Sequence, residues 1–160
     1  MDDIIIFTDG ATPNNQNKKL RKGGIGVYFP NNTELNISLQ LEGNITNNIC
    51  ELTACIEGLK KIIMSMTIKK NITIYSDSMY VINSITVWAK NWKKNNWKKA
   101  DNKEIENKEL IKSLYYLSKN LGVKYIHVKA HKNAPNKDSD DYFEWYGNMM
   151  ADKLATECIK

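Results

Sequence analysis

No run in this sequence reaches the roughly 20 consecutive apolar residues that a membrane-crossing helix requires. That excludes a helical membrane span, and no membrane partner is expected. Cysteine is scarce: Cys50, Cys55 and Cys158 are three in all, with no C-x-x-C spacing among them. An odd count without that spacing argues against a disulfide framework and against a zinc site. It predicts small buried groups in a reducing compartment. No leader is expected either. The opening MDDIIIFTDG sets two acids ahead of a short apolar run, the wrong order for a signal peptide. The expected location is intracellular: cytoplasm, nucleus or a virus-infected cell. There is no internal repeat and no linker, so residues 1–160 read as a single domain.

What is present is ordinary for a globular chain, 42% hydrophobic and 26% charged, with a basic surplus of +5 and a pI near 9.0. That surplus favours a polyanion partner, but only mildly. Ile4–Thr8 is a continuous β-branched run ended by Asp-Gly and reads as a buried strand. Strands at Ile25–Phe29 and Ile37–Leu41, split by the turn PNNT, complete an antiparallel meander. The period then changes. Leu52, Ile56, Leu59, Ile63 and Met66 predict a helix over 48–67. ITIYS at 72–76 reads as another buried strand, Met79–Thr86 and Trp88–Asn95 as two short helices, and Ile105–Asn120 as a longer one. Lys124–Ala130 reads as a strand, 132–146 as a polar loop and Asn148–Lys160 as a terminal helix. The order β-β-β-α-β-α-α-α-β-α implies an α/β protein with a mixed sheet covered by helices.

Four acids stand in unusual places. Asp9 directly follows IIIFT, and Asp77 directly follows ITIYS. Singly, each is explained by a turn or a helix cap. Jointly, they place two carboxylates at the carboxyl ends of buried strands, where open α/β sheets bind ligands. Glu51 is read into the first turn of the first long helix and Asp152 into the first turn of the last, where the helix dipole alone would favour an acid. Four carboxylates at one point repel unless cations neutralise them. An all-oxygen set selects a hard ion, Mg²⁺ above others. Two such ions about 4 Å apart can activate water against a phosphodiester.

Six segments in order, FTDG, TNNICELTACIEGL, YSDSMYVINSI, WAKNWKKNNWKKADNKEIENKEL, HVKAH and GNMMADKLA, resemble type-one ribonuclease H. They span nearly the whole chain. The resemblance implies a ribonuclease H-like fold, a five-stranded mixed sheet of order 3-2-1-4-5 flanked by helices, with a basic protrusion. It implies a metal-dependent endoribonuclease that cleaves the RNA strand of an RNA–DNA hybrid with two Mg²⁺ ions, Mn²⁺ being a possible substitute, and leaves 5′-phosphate and 3′-hydroxyl ends. It matches Asp9, Glu51, Asp77 and Asp152 to the metal-binding carboxylates and His131 to a catalytic-loop histidine. Thr46 and Asn107 match a DNA-phosphate pocket. Asn15, Asn47 and Asn48 match polar groups near the minor groove, and Met79 a residue that packs near the RNA strand. Asparagine suits that place because its amide both donates and accepts.

The chain departs from the family pattern in three places. The loop between His131 and Asp152 is much longer than the short family form and carries KNAPNKDSDDYFEWY. Asn44 stands where an Arg is common, and Met149 where Glu is usual. The start at the first strand suggests a chain without the N-terminal hybrid-binding domain of many eukaryotic relatives, and low processivity is expected. A monomer is expected.

The stretch WKKNNWKK at 92–99 has two readings. Trp88 and Trp92, four apart, share a helix face and, as core anchors, would leave a solvated lysine face. The resemblance instead places the stretch in the basic protrusion, or handle. It then implies that Tyr80, Trp88 and Trp92 line the DNA-strand channel, that Lys93, Lys94, Lys98 and Lys99 attract phosphates, and that Trp97 folds the handle. The competing functions are a nucleic-acid binding module without catalysis, a DNA-processing nuclease on the same fold, and a domain cut from a reverse transcriptase.

Overall fold

The computed structural model describes residues 3–13, 22–65, 71–130 and 133–160. Its strands are β1 Ile4–Ala11, β2 Lys22–Tyr28, β3 Ile37–Glu42, β4 Ile72–Ser76 and β5 Lys124–His127. They form one sheet of order β3-β2-β1-β4-β5. The meander β1-β2-β3 is antiparallel, while β4 and β5 run parallel to β1. This is the mixed sheet expected from the segment order.

Helix α1 (Asn47–Ser65) and helix α5 (Tyr142–Glu157) cover opposite faces. The glycine pair in β2 shows how. Successive strand residues point to opposite faces. A side chain at Gly23 would meet Cys50 of α1, and one at Gly24 would meet Ala155 of α5. The same alternation sends Ile4, Ile6 and Thr8 toward α1, and Phe7 toward α5. On the α1 side the core is aliphatic and continues into helix α4 (Lys108–Leu121) through Ile111 and Leu114. On the α5 side it is aromatic, with Phe7 stacked on Tyr75 at 4.7 Å and edge-on to Phe143 at 5.4 Å.

Several boundaries differ from the expected ones, each for a packing reason. β1 continues through Asp9 to Ala11 because β2 goes on pairing with it after β4 has ended. The terminal helix begins at Tyr142 and not at Asn148. The YFEWY segment assigned to a loop is helical, and its Phe143 and Tyr146 pack on Phe7, Tyr75 and Tyr28. β5 stops at His127, and α4 starts three residues later than expected, with Ile105 buried in the loop before it. The two short helices expected at 79–86 and 88–95 are one continuous run: α2 (Met79–Asn83), a π-helical segment Ser84–Trp88 and α3 (Ala89–Lys94). The expected end of α1 at residue 67 lies outside the described residues.

Cys50 and Cys55 are free and buried, and burial pushes both thiols up to about 12, which makes them inert. Cys158 is only half-buried.

Candidate active site

The site is built where β1 outruns β4. Thr8 pairs with Ser76, the last pair of those parallel strands. Asp9 and Asp77 each come one residue later, so they stand near each other, Asp9 within β1 and Asp77 just past the end of β4. Both follow the aromatic side of their strands, the side of Phe7 and Tyr75, which faces α5.

Glu51 arrives from the other face. It lies in the second turn of α1, not the first, so the helix-dipole explanation does not hold for it; α1 has no acid in its first turn. What lets it reach the strand end is Gly10. A Cβ there would sit 2.6 Å from both the Cys50 Cβ and the Glu51 backbone nitrogen. Without one, α1 closes on β1, and the Gly10 N–H donates to Asp9 Oδ1 and to Glu51 Oε1, both at 2.9 Å. Gly26 does the same for α5: a side chain there would strike the Ala151 carbonyl. That approach brings in Asp152, which lies in the third turn of α5 and not in the first as expected. Asp152 hydrogen-bonds with Asp9, and its charge bears on Glu51.

Ligand oxygens of Asp9, Glu51 and Asp77 all fall within 4.8 Å of one another. Asp9 and Glu51 are each only 4% exposed. Burial first, then the charges of Glu51 and Asp77, push the Asp9 carboxyl up to about 11. Burial pushes Glu51 up to about 7, against the lowering effect of its bonds to Asp9 and Gly10. Burial and like charge therefore favour a protonated carboxyl within the bare cluster at neutral pH. Such a set is electrostatically incomplete, and a hard divalent cation fits it.

Asn148 escaped the sequence reading. It is 7% exposed, one turn before Asp152 on the same stripe of α5, and its Oδ1 has no hydrogen-bond partner among the described residues. The available signal was an amide within the buried stripe of a helix.

Around the cluster, Ser78 caps α2 by accepting from the Val81 N–H at 3.2 Å, which sets Met79 outward, half-exposed, two residues past Asp77. Thr46 caps α1, its Oγ1 accepting from the Ile49 N–H at 3.2 Å, and keeps its own hydroxyl proton for another acceptor. Asn47 and Asn48 are exposed on the first turn. Asn107, with φ of 59°, donates from Nδ2 to the Tyr80 hydroxyl at 3.1 Å, joining the expected phosphate pocket to the aromatic surface. That surface is a chain of rings: Tyr80 to Trp88 at 6.1 Å, Trp88 to Trp92 at 5.8 Å. The π-helical segment turns Trp88 into line with both.

Trp97 is buried and packs on Tyr115 and Tyr116 of α4. Lys94, Lys98 and Lys99 are exposed, and among the described residues none has an ion-pair partner. Lys93 lies over the Tyr116 ring at 5.5 Å. Asn15 and His131 lie outside the described residues.

The RNase H family model matches residues 1–160. Ribonuclease H of Thermoanaerobacter sp. strain X514 is 39% identical over 161 residues, covering 100% of this chain and 92% of that protein. Human ribonuclease H1 is 34% identical over 159 residues, covering 99% of this chain and 51% of that protein. The chain thus spans about half the length of the mammalian relatives it matches. Among solved structures, LC9-RNase H1 is similar with a TM-score of 0.71 at 20% identity, covering 98% of this chain and 72% of that one.

Proposed function

Since the chain belongs to the ribonuclease H family, we propose that it hydrolyses the RNA strand of RNA–DNA hybrids, leaving 5′-phosphate and 3′-hydroxyl ends. The observation that carries this reading is the buried meeting of Asp9, Glu51 and Asp77, with Asp152 beside them. Mg²⁺ is the ion we assign to them, since all donors are carboxylate oxygens. Bound there, two ions would supply an activated water and neutralise the charge on the departing 3′ oxygen.

The protein's own part is positioning. The Gly10 N–H locks Asp9 and Glu51 in one geometry, so little rearrangement is needed when the substrate arrives. Asp77 and Asp152 close the ring from β4 and α5. Substrate discrimination belongs to the surfaces on either side. Asn47 and Asn48 present amides that can read 2′-hydroxyls of the RNA strand. Tyr80, Trp88 and Trp92 present flat faces to DNA sugars, which lack that hydroxyl. Thr46 and Asn107 hold a DNA phosphate. Lys94, Lys98 and Lys99 add non-specific attraction, so sequence preference is slight. We assign His131 to proton transfer or product release, and we take the chain to act as a monomer inside the cell.

The test is cleavage of an end-labelled hybrid beside matched double-stranded RNA and double-stranded DNA, with Mg²⁺ and with EDTA. Cleavage of the hybrid RNA strand alone, abolished by EDTA, is the expected result. Cutting of duplex DNA in preference to hybrid would replace this reading with a DNA-processing one. No cleavage of any of them would leave a binding module.

A further inference from the structure

Beyond the carboxylates lies a cavity of about 430 Å³, lined among the described residues by His127, Val128 and Lys129 at the end of β5, by Asn133 and Pro135, and by the start of α5. It adjoins the catalytic cluster through two elements. On one side, Ser76 pairs with His127, and the Val128 N–H donates to the Ser76 carbonyl at 2.9 Å, so the wall formed by His127 and Lys129 stands one strand over from Asp77. On the other side, Trp145 is seven residues before Asp152, two turns along one helix stripe and about 10 Å along the axis.

Five polar side chains of this cavity are unspent. Among the described residues, the side chains of His127, Lys129, Asn133, Asp141 and Glu144 make no hydrogen bond and no ion pair. Elsewhere on the molecule lysines and acids pair along helices, as Lys153 does with Glu157. The mixture also matters. A groove that simply followed a phosphate backbone would be basic throughout, whereas here one lysine and one histidine share the lining with two carboxylates, an amide and a half-buried indole. The lysine suits a phosphate, the indole suits the π-face of a base, and the carboxylates and amide suit exocyclic amino groups and sugar hydroxyls. The volume falls in the range of small-molecule sites and admits one nucleotide, not a duplex.

We propose that this cavity is a subsite for one unpaired ribonucleotide of the RNA strand, next to the scissile position. The inference rests on the ribonuclease reading above. It makes hybrids bearing a short single-stranded RNA extension the preferred substrates, with Trp145 stacking on the base and Lys129 holding its phosphate.

Two measurements test it. The first uses the intact protein in EDTA and follows the four tryptophan indole N–H signals by NMR while AMP is added. Binding in the millimolar range that moves the Trp145 signal, and that is weakened in Lys129→Ala, is expected. No movement at about 10 mM AMP, or movement confined to Trp88 and Trp92, overturns the proposal. The second compares kcat/KM for a blunt hybrid and for hybrids with one unpaired ribonucleotide at either RNA end. The expected ratio is about tenfold in favour of one extended form, falling toward one in Trp145→Ala and in Lys129→Ala. AMP binding without any such preference would mean a free-nucleotide site and would overturn the assignment to the RNA strand. The ribonuclease reading fails separately, on absence of blunt-hybrid cleavage, whatever AMP does.

Discussion

The carboxylate cluster and the basic handle solve opposite electrostatic problems. In the cluster, three carboxyl groups are forced within 4.8 Å in a site where Asp9 and Glu51 are almost wholly buried. The fold maintains that arrangement by bringing two helices against glycines of the sheet. In the handle, Lys94, Lys98 and Lys99 stand in solvent around the buried Trp97, and residues 96, 97, 102 and 107 take positive φ to make the turns. The first region requires position to a fraction of an ångström, the second only proximity. Substitutions should therefore act on rate and pH response in the cluster, and on affinity and salt response in the handle.

The largest expected effect is at Asp77. Asp77→Asn should lower kcat by about 10³-fold or more while hybrid binding persists. Single-turnover cleavage beside a gel-shift titration measures both, and a variant of normal rate with Mg²⁺ present would sink the assignment.

Next is the handle's anchor. Trp97→Ala removes an indole packed on Tyr115 and Tyr116 and should cost about 3 kcal/mol if the handle unfolds with the rest. Urea unfolding read at two probes sharpens the comparison. An early transition confined to the handle, with the cluster region intact, would show the two regions to be separately stable.

The cluster should also respond to pH in the reverse of the usual carboxylate sense. Asp9 is raised to about 11, so from about pH 4 upward the folded state holds a proton that the unfolded state releases. Metal-free stability should therefore fall as pH rises through that window. Asp9→Asn should flatten the fall and stabilise the metal-free protein at pH 8 by about 1–2 kcal/mol. Added Mg²⁺ should stabilise the parent and not the variant. Thermal melts at pH 5.5 and 8, with and without EDTA, decide it; a variant less stable than the parent at pH 8 contradicts the buried-charge account.

The smallest effect belongs to the lysines. Changing Lys93, Lys94, Lys98 and Lys99 to Ala together should raise KM roughly fivefold near physiological salt and leave kcat nearly alone. The slope of log KM against log salt should fall by about two to three. Lys93, over the Tyr116 ring, should contribute least. An unchanged KM would return the stretch to a solvated surface with no partner.

How much of this was legible in residue order depends on range. The strands containing Asp9 and Asp77 were readable because a buried strand shows itself as a short β-branched run. The handle was readable as a basic aromatic segment. The early start of α5 was not, because YFEWY between acids has the composition of a loop, and only Phe7, Tyr28 and Tyr75, distant in sequence, make it worth folding as a helix. The π-helical segment at 84–88 was invisible for the same reason.

By itself, then, the sequence determined the element types, the sheet's mixed character and which acids end which strands, since these follow from local periodicity. Only the tertiary structure decided that Glu51 reaches round from the far face past Gly10, that Asp152 enters through the gap at Gly26, and that Asn148 and the cavity at Trp145 lie beside them. Those contacts join residues separated by tens to more than a hundred positions. No local pattern encodes them, because the free energy that selects them is that of packing the whole sheet between its two helical layers.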